Sequence, residues 1–424
     1  MKKIVIMAAT LMASLPFAYS QDSTKVSVKP YGFVRNYYTF DTRRTYTVTG
    51  GEFNLLPYDE AWNEDHSEDL NAVPTGQLQA LTSRFGLNVT GPKLWKWTSG
   101  AKLEADFGGF GTNNHELRLR LAYLKLCTPN SELRIGQDWH PLSGDIMPEV
   151  LGMAAGAPFR PHSRTPQIRA TRYWGSFGYT AAVLWQLQYM NSGPKSATDP
   201  TSTASTDFAH NALWPEAFLG ANFKEGSWYV QMGVDAQLLR PRTFAQIGGV
   251  TQKVDETVKS ISPTLYAQYV GERWSVKLRT VLAQNTSHLN QLVGYAVTGV
   301  NADGSWSYSP MKASISYLDM AYGKKYRCNL FLGYMHNLGA GESLYDYSGA
   351  GDYHIYMKGG ENFTHLHSIW RVAPSFSYNL KAFNVGLEYE VTGARYGDIN
   401  NDATVDPQRH VINHRVCALV KYNF

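Results

Sequence analysis

Charged residues alternate with apolar residues in three consecutive segments of the first third of the chain. The charged positions are Arg84 in the first segment, Glu104 and Asp106 in the second, and Arg118 and Arg120 in the third. A period of two places such residues on one face of a β-strand and their apolar neighbours on the other. Guanidinium and carboxylate groups on a shared face can pair with each other or bind charged solutes. The spacing therefore predicts three amphipathic strands, each with a charged face that can form ion pairs or bind charged solutes.

The apolar faces indicate where the charged faces lie. An Arg or Lys on the lipid face of a transmembrane strand costs about 2–4 kcal/mol at mid-membrane, so charged faces are expected to point into a lumen. The same reasoning directs Arg134 and Arg169 inward. Neighbouring strands lie about 4.8 Å apart, so these arginines can form a basic patch, with Glu104 and Asp106 among them. Individual arginines then either contact a passing solute or brace the wall through ion pairs.

The segment 141–165 differs from the other connections. It contains four prolines, a run of small residues and the charged residues Asp145, Glu149, Arg160 and Arg164. Its apolar content is high for a loop in water, which predicts a loop folded into the lumen. Acids on such a loop, opposite a wall of arginines, would produce a transverse field that selects solutes by charge. An ordinary extracellular loop or a contact between subunits is the alternative interpretation.

Strand-sized segments, very short turns and longer polar loops recur along the whole chain. The short turns are rich in Gly, Pro, Asn and Ser and are flanked by aromatic residues. Short turns on one side, long loops on the other and aromatic girdles are typical of outer-membrane barrels. The predicted fold class is all-β, a transmembrane antiparallel β-barrel of about sixteen strands. The predicted strands are 26–41, 76–90, 97–108, 115–127, 132–140, 166–174, 178–190, 213–224, 228–241, 257–270, 273–285, 308–321, 326–337, 362–379, 382–396 and 410–424.

Both ends of the chain indicate export. Lys2 and Lys3 precede an apolar run and a small-residue cleavage site, the pattern of a secretory signal peptide over residues 1–20. Residues 21–424 are predicted to form a single barrel. The last residues alternate between apolar and polar and end at Phe424, which resembles the signal that the barrel-assembly machinery recognises.

Composition excludes several classes of protein. The net charge of +4 is too close to zero to indicate nucleic-acid binding. The three cysteines show no metal-binding or disulfide spacing. An aromatic content of 13% with only 17% charged residues suits a membrane barrel. The expected location is the bacterial outer membrane, with outer-membrane lipid and lipopolysaccharide as neighbours.

Five motifs within residues 30–172 resemble the DcaP-like porins and their relatives in Bacteroidetes-type bacteria. In chain order they are TSRFGL at 82–87, LEADF at 103–107, LRLRLAY at 117–123, GQDW at 136–139 and RTPQIR at 164–169. The resemblance implies a sixteen-stranded homotrimeric porin that passes small, often anionic, solutes. It also implies that Arg84, Arg118, Arg120 and Arg169 face the lumen. The N-terminal coiled coil of that family is expected to be missing here, because the first predicted strand begins within about ten residues of Gln21.

Other sites and functions receive less support. The acidic segment 42–75 could bind Ca²⁺, although a solvated loop is the commoner explanation. His365 and His367 share a strand face but are too few for a metal site. The chain has no G-x-S-x-G elbow, so an outer-membrane hydrolase is disfavoured, and a structural or adhesin barrel remains the main alternative to a porin. No catalytic residue, metal or cofactor is predicted.

Overall fold

The computed structural model describes residues 26–109, 116–144 and 147–424. The predicted signal peptide at residues 1–20 and the loop residue Asp145 lie outside these ranges.

In the described residues, sixteen long antiparallel strands form a closed barrel. They are β1 (Ser27–Asp41), β2 (Arg84–Leu94), β3 (Trp97–Asp106), β4 (Arg118–Thr128), β5 (Ser131–Trp139), β6 (Arg164–Trp174), β7 (Phe177–Leu184), β8 (Glu216–Glu225), β9 (Trp228–Leu239), β10 (Val258–Val270), β11 (Trp274–Gln284), β12 (Lys312–Gly323), β13 (Tyr326–Asn337), β14 (Leu366–Leu380), β15 (Phe383–Ile399) and β16 (Val405–Asn423). Each strand pairs with its neighbours in the chain, and β1 also pairs with β16, which closes the barrel. A short strand, Thr75–Gln79, pairs with β1 ahead of β2. The predicted transmembrane antiparallel barrel of about sixteen strands is confirmed.

Tight hairpins connect the strands on one side, as their sequence predicts. Trp174 pairs directly with Phe177, so Gly175 and Ser176 make a two-residue turn. Gly175 has a φ of +59°, which residues with a side chain rarely adopt. The aromatic side chains of Trp174 and Phe177 are exposed beside the turn, as expected of an interfacial girdle.

The loops on the other side carry short elements of their own. Their strands are Thr45–Val48, Phe53–Pro57, Asn191–Pro194, Ser202–Ser205, Phe244–Ile247, Val250–Lys253, Tyr295–Val300, Trp306–Pro310 and Ile355–Tyr356, and their helices are Asp207–His210, Ser287–Leu289 and Gly360–Phe363. None of the helices within the described ranges is long and apolar enough to cross a membrane.

A bulge between β3 and β4 changes which residues face outward. Phe85, Leu103 and Leu119 are exposed on the outer face, as predicted from their alternation. The register then shifts, because Glu104 lies opposite Leu121 while Ala105 lies opposite Leu119. An extra residue in one strand reverses the side-chain alternation beyond it. The alternation of the segment 117–123 predicts that Leu121 faces lipid like Leu119, and this is wrong, since the side chain of Leu121 is buried.

The first long loop also differs from its prediction as a solvated segment. Phe53, Leu55 and Leu56 are buried among the lumen side chains of β11–β15. Arg371 donates to the carbonyl oxygens of Asn54 and Leu55 at 3.2 and 3.0 Å. The apolar sequence of this hairpin explains its burial, because each large apolar side chain removed from water contributes about 1.5–3 kcal/mol. The barrel is therefore filled by a packed core on the side of β11–β15.

Candidate pore constriction

The segment between β5 and β6 crosses the lumen to the opposite wall. We call residues 140–163 the inward loop. Its backbone N–H groups at Leu151 and Gly152 donate to Glu388 of β15 at 2.7 and 3.0 Å. Arg371 of β14 donates to the carbonyl oxygen of Ala157 at 2.9 Å. The prediction that the third long loop, residues 141–165, folds into the lumen is confirmed.

Glu149 fixes a second point of the inward loop against β11–β13. Its carboxylate lies 3.2 Å from Nζ of Lys277 and 2.7 Å from Nη2 of Arg327. Its backbone N–H lies 3.1 Å from each oxygen of Asp319. Burial raises the pKa of Glu149, but the hydrogen bonds from Arg327 and the charge of Lys277 outweigh burial and lower the pKa to about 2. The negative charge of Glu149 is therefore paired with cations of β11 and β13 on the far wall. Glu149 does not face the arginines of β2–β6, so it does not contribute to the transverse field that was expected.

The predicted arginines of β4 form a tight network with the acids of β3. Arg118 donates to both oxygens of Asp106, from Nε and Nη2, at 2.8 Å each. Arg120 donates to Glu104 at 2.8 Å and to Asp106 at 2.7 Å. Arg84 lies 3.4 Å from Glu104. Bidentate, charge-assisted pairs of this kind are strong and directional, so this geometry favours bracing as the role of Arg118 and Arg120.

Arg134 and Arg169 form a second network on β5 and β6. Asp138 accepts from both, at 2.7 Å from Arg134 and 2.6 Å from Arg169. Glu132 accepts from Nε of Arg134 at 2.6 Å. The two arginines are direct cross-strand neighbours, so the shared acid offsets the repulsion between them.

Arg160 of the inward loop and Arg164 at the start of β6, both predicted as constriction residues, lie around an indole ring. The guanidinium carbons of Arg160 and Arg164 lie 5.0 and 5.1 Å from the ring centre of Trp139. That of Arg120 lies 5.9 Å from the same ring. Burial lowers the pKa of Arg160 to about 10, so the group is still charged at neutral pH. Cation–π contacts partly compensate this crowding of like charges.

Arg279 and Lys224 were missed by the sequence reasoning. Both line a lumen cavity of about 230 Å³ together with Arg134 and Arg169, and Glu132 is the one acid among the described residues of that lining. Arg279 is buried under the ring of Tyr266 at 4.8 Å, and its Nε and Nη1 have no hydrogen-bond partner. Among the residues that the structure describes, no carboxylate lies within ion-pair distance of Arg279, Arg160 or Arg164. The alternation of polar and apolar residues that identified the other arginines also places Arg279 inward. Arg279 could therefore have been predicted from the sequence in the same way.

Solved structures of outer-membrane barrels match the chain over nearly its whole length. The outer membrane channel DcaP of Acinetobacter baumannii has a TM-score of 0.65 at 16% identity, covering 96% of this chain and 100% of that chain. The anion-selective porin from Comamonas acidovorans has a TM-score of 0.56 at 13% identity, covering 94% and 100%. The trimer form of OmpT, an outer membrane protein of Vibrio cholerae, has a TM-score of 0.52 at 12% identity, covering 95% and 100%.

Sequence comparisons give no further assignment. No protein-family model matches the chain, and no curated protein matches it. The resemblance to DcaP-like porins in residues 30–172 is thus confirmed at the level of fold. The chain has the fold of the outer-membrane porins.

Proposed function

We propose that the chain is a porin of the bacterial outer membrane, through which small hydrophilic solutes diffuse passively and anions pass preferentially. The shared fold supports this proposal, because an outer membrane channel and an anion-selective porin are among the proteins it resembles. The exposed apolar side chains on the outer face of the strands suit contact with lipid. Passive diffusion requires neither a cofactor nor a catalytic residue.

The charge of the lumen cavity carries the preference for anions. Among the described residues, Lys224 and Arg279 of its lining have no carboxylate within ion-pair distance, whereas Arg134 and Arg169 share Glu132 and Asp138. A cavity lined by one sign of charge, with walls of low dielectric constant, concentrates ions of the opposite sign. The guanidinium of Arg279 also has donors that no protein group occupies. These donors are buried, so Arg279 acts on an anion in the cavity through its charge.

Reversal potentials across planar bilayers under a KCl gradient test this proposal. We expect chloride to permeate better than potassium in the wild-type channel. Arg279→Gln and Lys224→Gln should each reduce that preference, because each removes one positive charge from the cavity. The matched control is Lys324→Gln, since Lys324 lies in an exposed turn and pairs with Glu272 at 3.0 Å.

Two results would contradict the proposal in different ways. Absence of conductance in the wild-type protein would reject the channel itself. A chloride preference that is equal in the wild type, both cavity variants and the control would reject the role of the cavity charges.

We further propose a homotrimer, assembled by the barrel-assembly machinery and surrounded by lipid and lipopolysaccharide. The likeness to the trimer form of OmpT supports the oligomeric state. The exposed terminal ring of Phe424, at the end of the closing strand, supports recognition during assembly.

A further inference from the structure

A group of buried histidines and acids lies on the barrel wall beside the inward loop. His140 begins that loop, and His288 lies in the helix Ser287–Leu289 of another loop. Glu216 of β8 and Asp235 of β9 complete the group from the wall. Their side chains are 0–4% exposed. Three separate parts of the chain therefore bring imidazole and carboxylate groups together away from bulk water.

The ligand atoms of His140, Glu216 and His288 all lie within 4.8 Å of one another, close to the spacing of ligands around one metal ion, and Asp235 lies beside them. Oε1 of Glu216 lies 2.8 Å from Nε2 of His140 and 3.0 Å from Nε2 of His288. Oδ1 of Asp235 lies 3.9 Å from Nε2 of His140. Ligands bound tetrahedrally at about 2.0–2.2 Å are separated by roughly 3.3–3.5 Å, so the observed distances bracket that value. Small side-chain movements would suffice to bind an ion.

Charge balance gives an independent reason to expect a cation. In the ranges that the structure describes, neither Glu216 nor Asp235 has a Lys or Arg within ion-pair distance, and Oδ1 of Asp235 has no hydrogen-bond partner. Two buried carboxylates without a counter-charge are costly. Protons on His140 and His288 or one divalent ion can supply the missing positive charge, and a proton held between the hydrogen-bonded carboxyl groups of Asp235 and Glu216 can remove one negative charge.

We propose that this group binds one divalent transition-metal ion through Nε2 of His140 and His288 and the carboxylates of Glu216 and Asp235. Imidazole with carboxylate is a ligand set that suits Zn²⁺. Gln237 donates to the other oxygen of Glu216 at 3.3 Å and orients that carboxylate. The ion would connect the inward loop, a second loop and the wall, a role separate from the diffusion of solutes.

One contact must change when the ion binds. The backbone N–H of Leu142 lies 3.1 Å from Nδ1 of His140 and donates to it. Binding through Nε2 places the ring proton on Nδ1, so the Leu142 N–H must turn away. Protonation of His140 makes the same demand, because an imidazolium carries a proton on each ring nitrogen, whereas the neutral ring with its proton on Nε2 donates to Glu216 and keeps the Leu142 contact.

Calorimetric titration of ZnCl₂ into the full chain, purified in detergent without a histidine tag, tests the site. We expect saturable binding of about one Zn²⁺ per chain and no matching signal from MgCl₂, which prefers oxygen ligands. His288→Ala and Asp235→Asn should abolish this binding. Gln237→Leu should weaken it by about 10–100-fold, the usual effect of removing an orienting group. His210→Ala, which removes an exposed histidine, should leave it unchanged.

The use of two ligand variants keeps the test decisive even if one of them misfolds. Asp235→Asn keeps the side-chain shape and removes a buried charge, so it remains informative if His288→Ala does not fold. Equal zinc uptake by the wild type and Asp235→Asn, or no uptake by the wild type, would overturn the proposal. The second outcome would mean that protons within the group, and not a metal ion, balance its charge.

Discussion

At the scale of single residues, Asp106 organises the basic wall. It accepts two hydrogen bonds from Arg118 and one from Arg120, and it is fully buried. The alternation of the sequence predicted these partners because the pairing of β3 with β4 is local. The alternation does not show which arginines are paired with a carboxylate and which are not. Pairing depends on residues that are distant in the sequence. Arg279 illustrates this limit, since its neighbour Arg160 belongs to the inward loop.

We expect Asp106→Asn to destabilise the barrel by about 3–5 kcal/mol, because two buried arginines would lose their shared acid. The free energy of unfolding can be measured by urea titration of the protein in lipid vesicles, followed by tryptophan fluorescence. Glu342→Gln changes an exposed acid and should alter that free energy by no more than about 0.5 kcal/mol. A similar small effect for both variants would reject the bracing role.

At the scale of elements, the inward loop is held by groups on the opposite wall. Glu388 accepts from its backbone, and Lys277 and Arg327 bind Glu149. The sequence predicted the inward fold from the apolar and proline content of the loop. It could not predict these contacts, because they join positions more than one hundred residues apart. The buried strand Phe53–Pro57 was missed for the same reason, since the acids around it suggested a solvated loop.

The ion pairs of Glu149 lead to a prediction about acid. Its pKa falls from an ordinary value of 4.5 to about 2 in the folded protein. A lowered pKa means that the stabilisation is present above about pH 4.5 and is lost as the pH falls towards about 2. We therefore expect the conductance of single channels to become noisy in that interval as the inward loop loses this attachment.

Single-channel recordings across that pH interval, with Glu149→Gln as the comparison, check this prediction. The variant lacks the charge at every pH, so its noise should already be high near neutral pH and change little on acidification. Quiet currents from the variant at neutral pH would show that other contacts, such as those of Glu388, are sufficient to hold the loop.

At the scale of the whole molecule, the closing strand joins both ends of the barrel. Its alternation and its terminal aromatic residue are local signals, and they predict the same class of fold as the turns and loops do. The number of strands followed from turns and loops, which are local signals. The packing of loops inside the barrel could not be predicted in this way. A barrel with an open lumen and a barrel whose lumen is occupied by loops have the same alternation in their strands. The strand ladder was thus predictable, whereas the shape of the passage required the three-dimensional contacts.

The last residue allows folding and assembly to be separated. The backbone N–H and carbonyl oxygen of Phe424 pair with those of Gly32 at 3.0 and 3.1 Å, and neither bond needs the side chain. The ring rests on Gly32, where no side chain stands in its way, and is 65% exposed. Phe424→Ala should therefore change the free energy of unfolding of the purified barrel by about 0.5 kcal/mol or less.

The same change should reduce the amount of protein inserted in the outer membrane of cells several-fold, because the exposed ring is what the assembly machinery would recognise. Membrane fractionation with quantitative immunoblotting measures that amount. Phe383→Ala is the matched control, since Phe383 is a half-exposed aromatic residue on the neighbouring strand, packed against Tyr422. If both variants were inserted equally well, the terminal ring would have no special role. If Phe424→Ala instead lowered the stability of the purified barrel as strongly as its insertion, the ring would act in closing the barrel rather than in recognition.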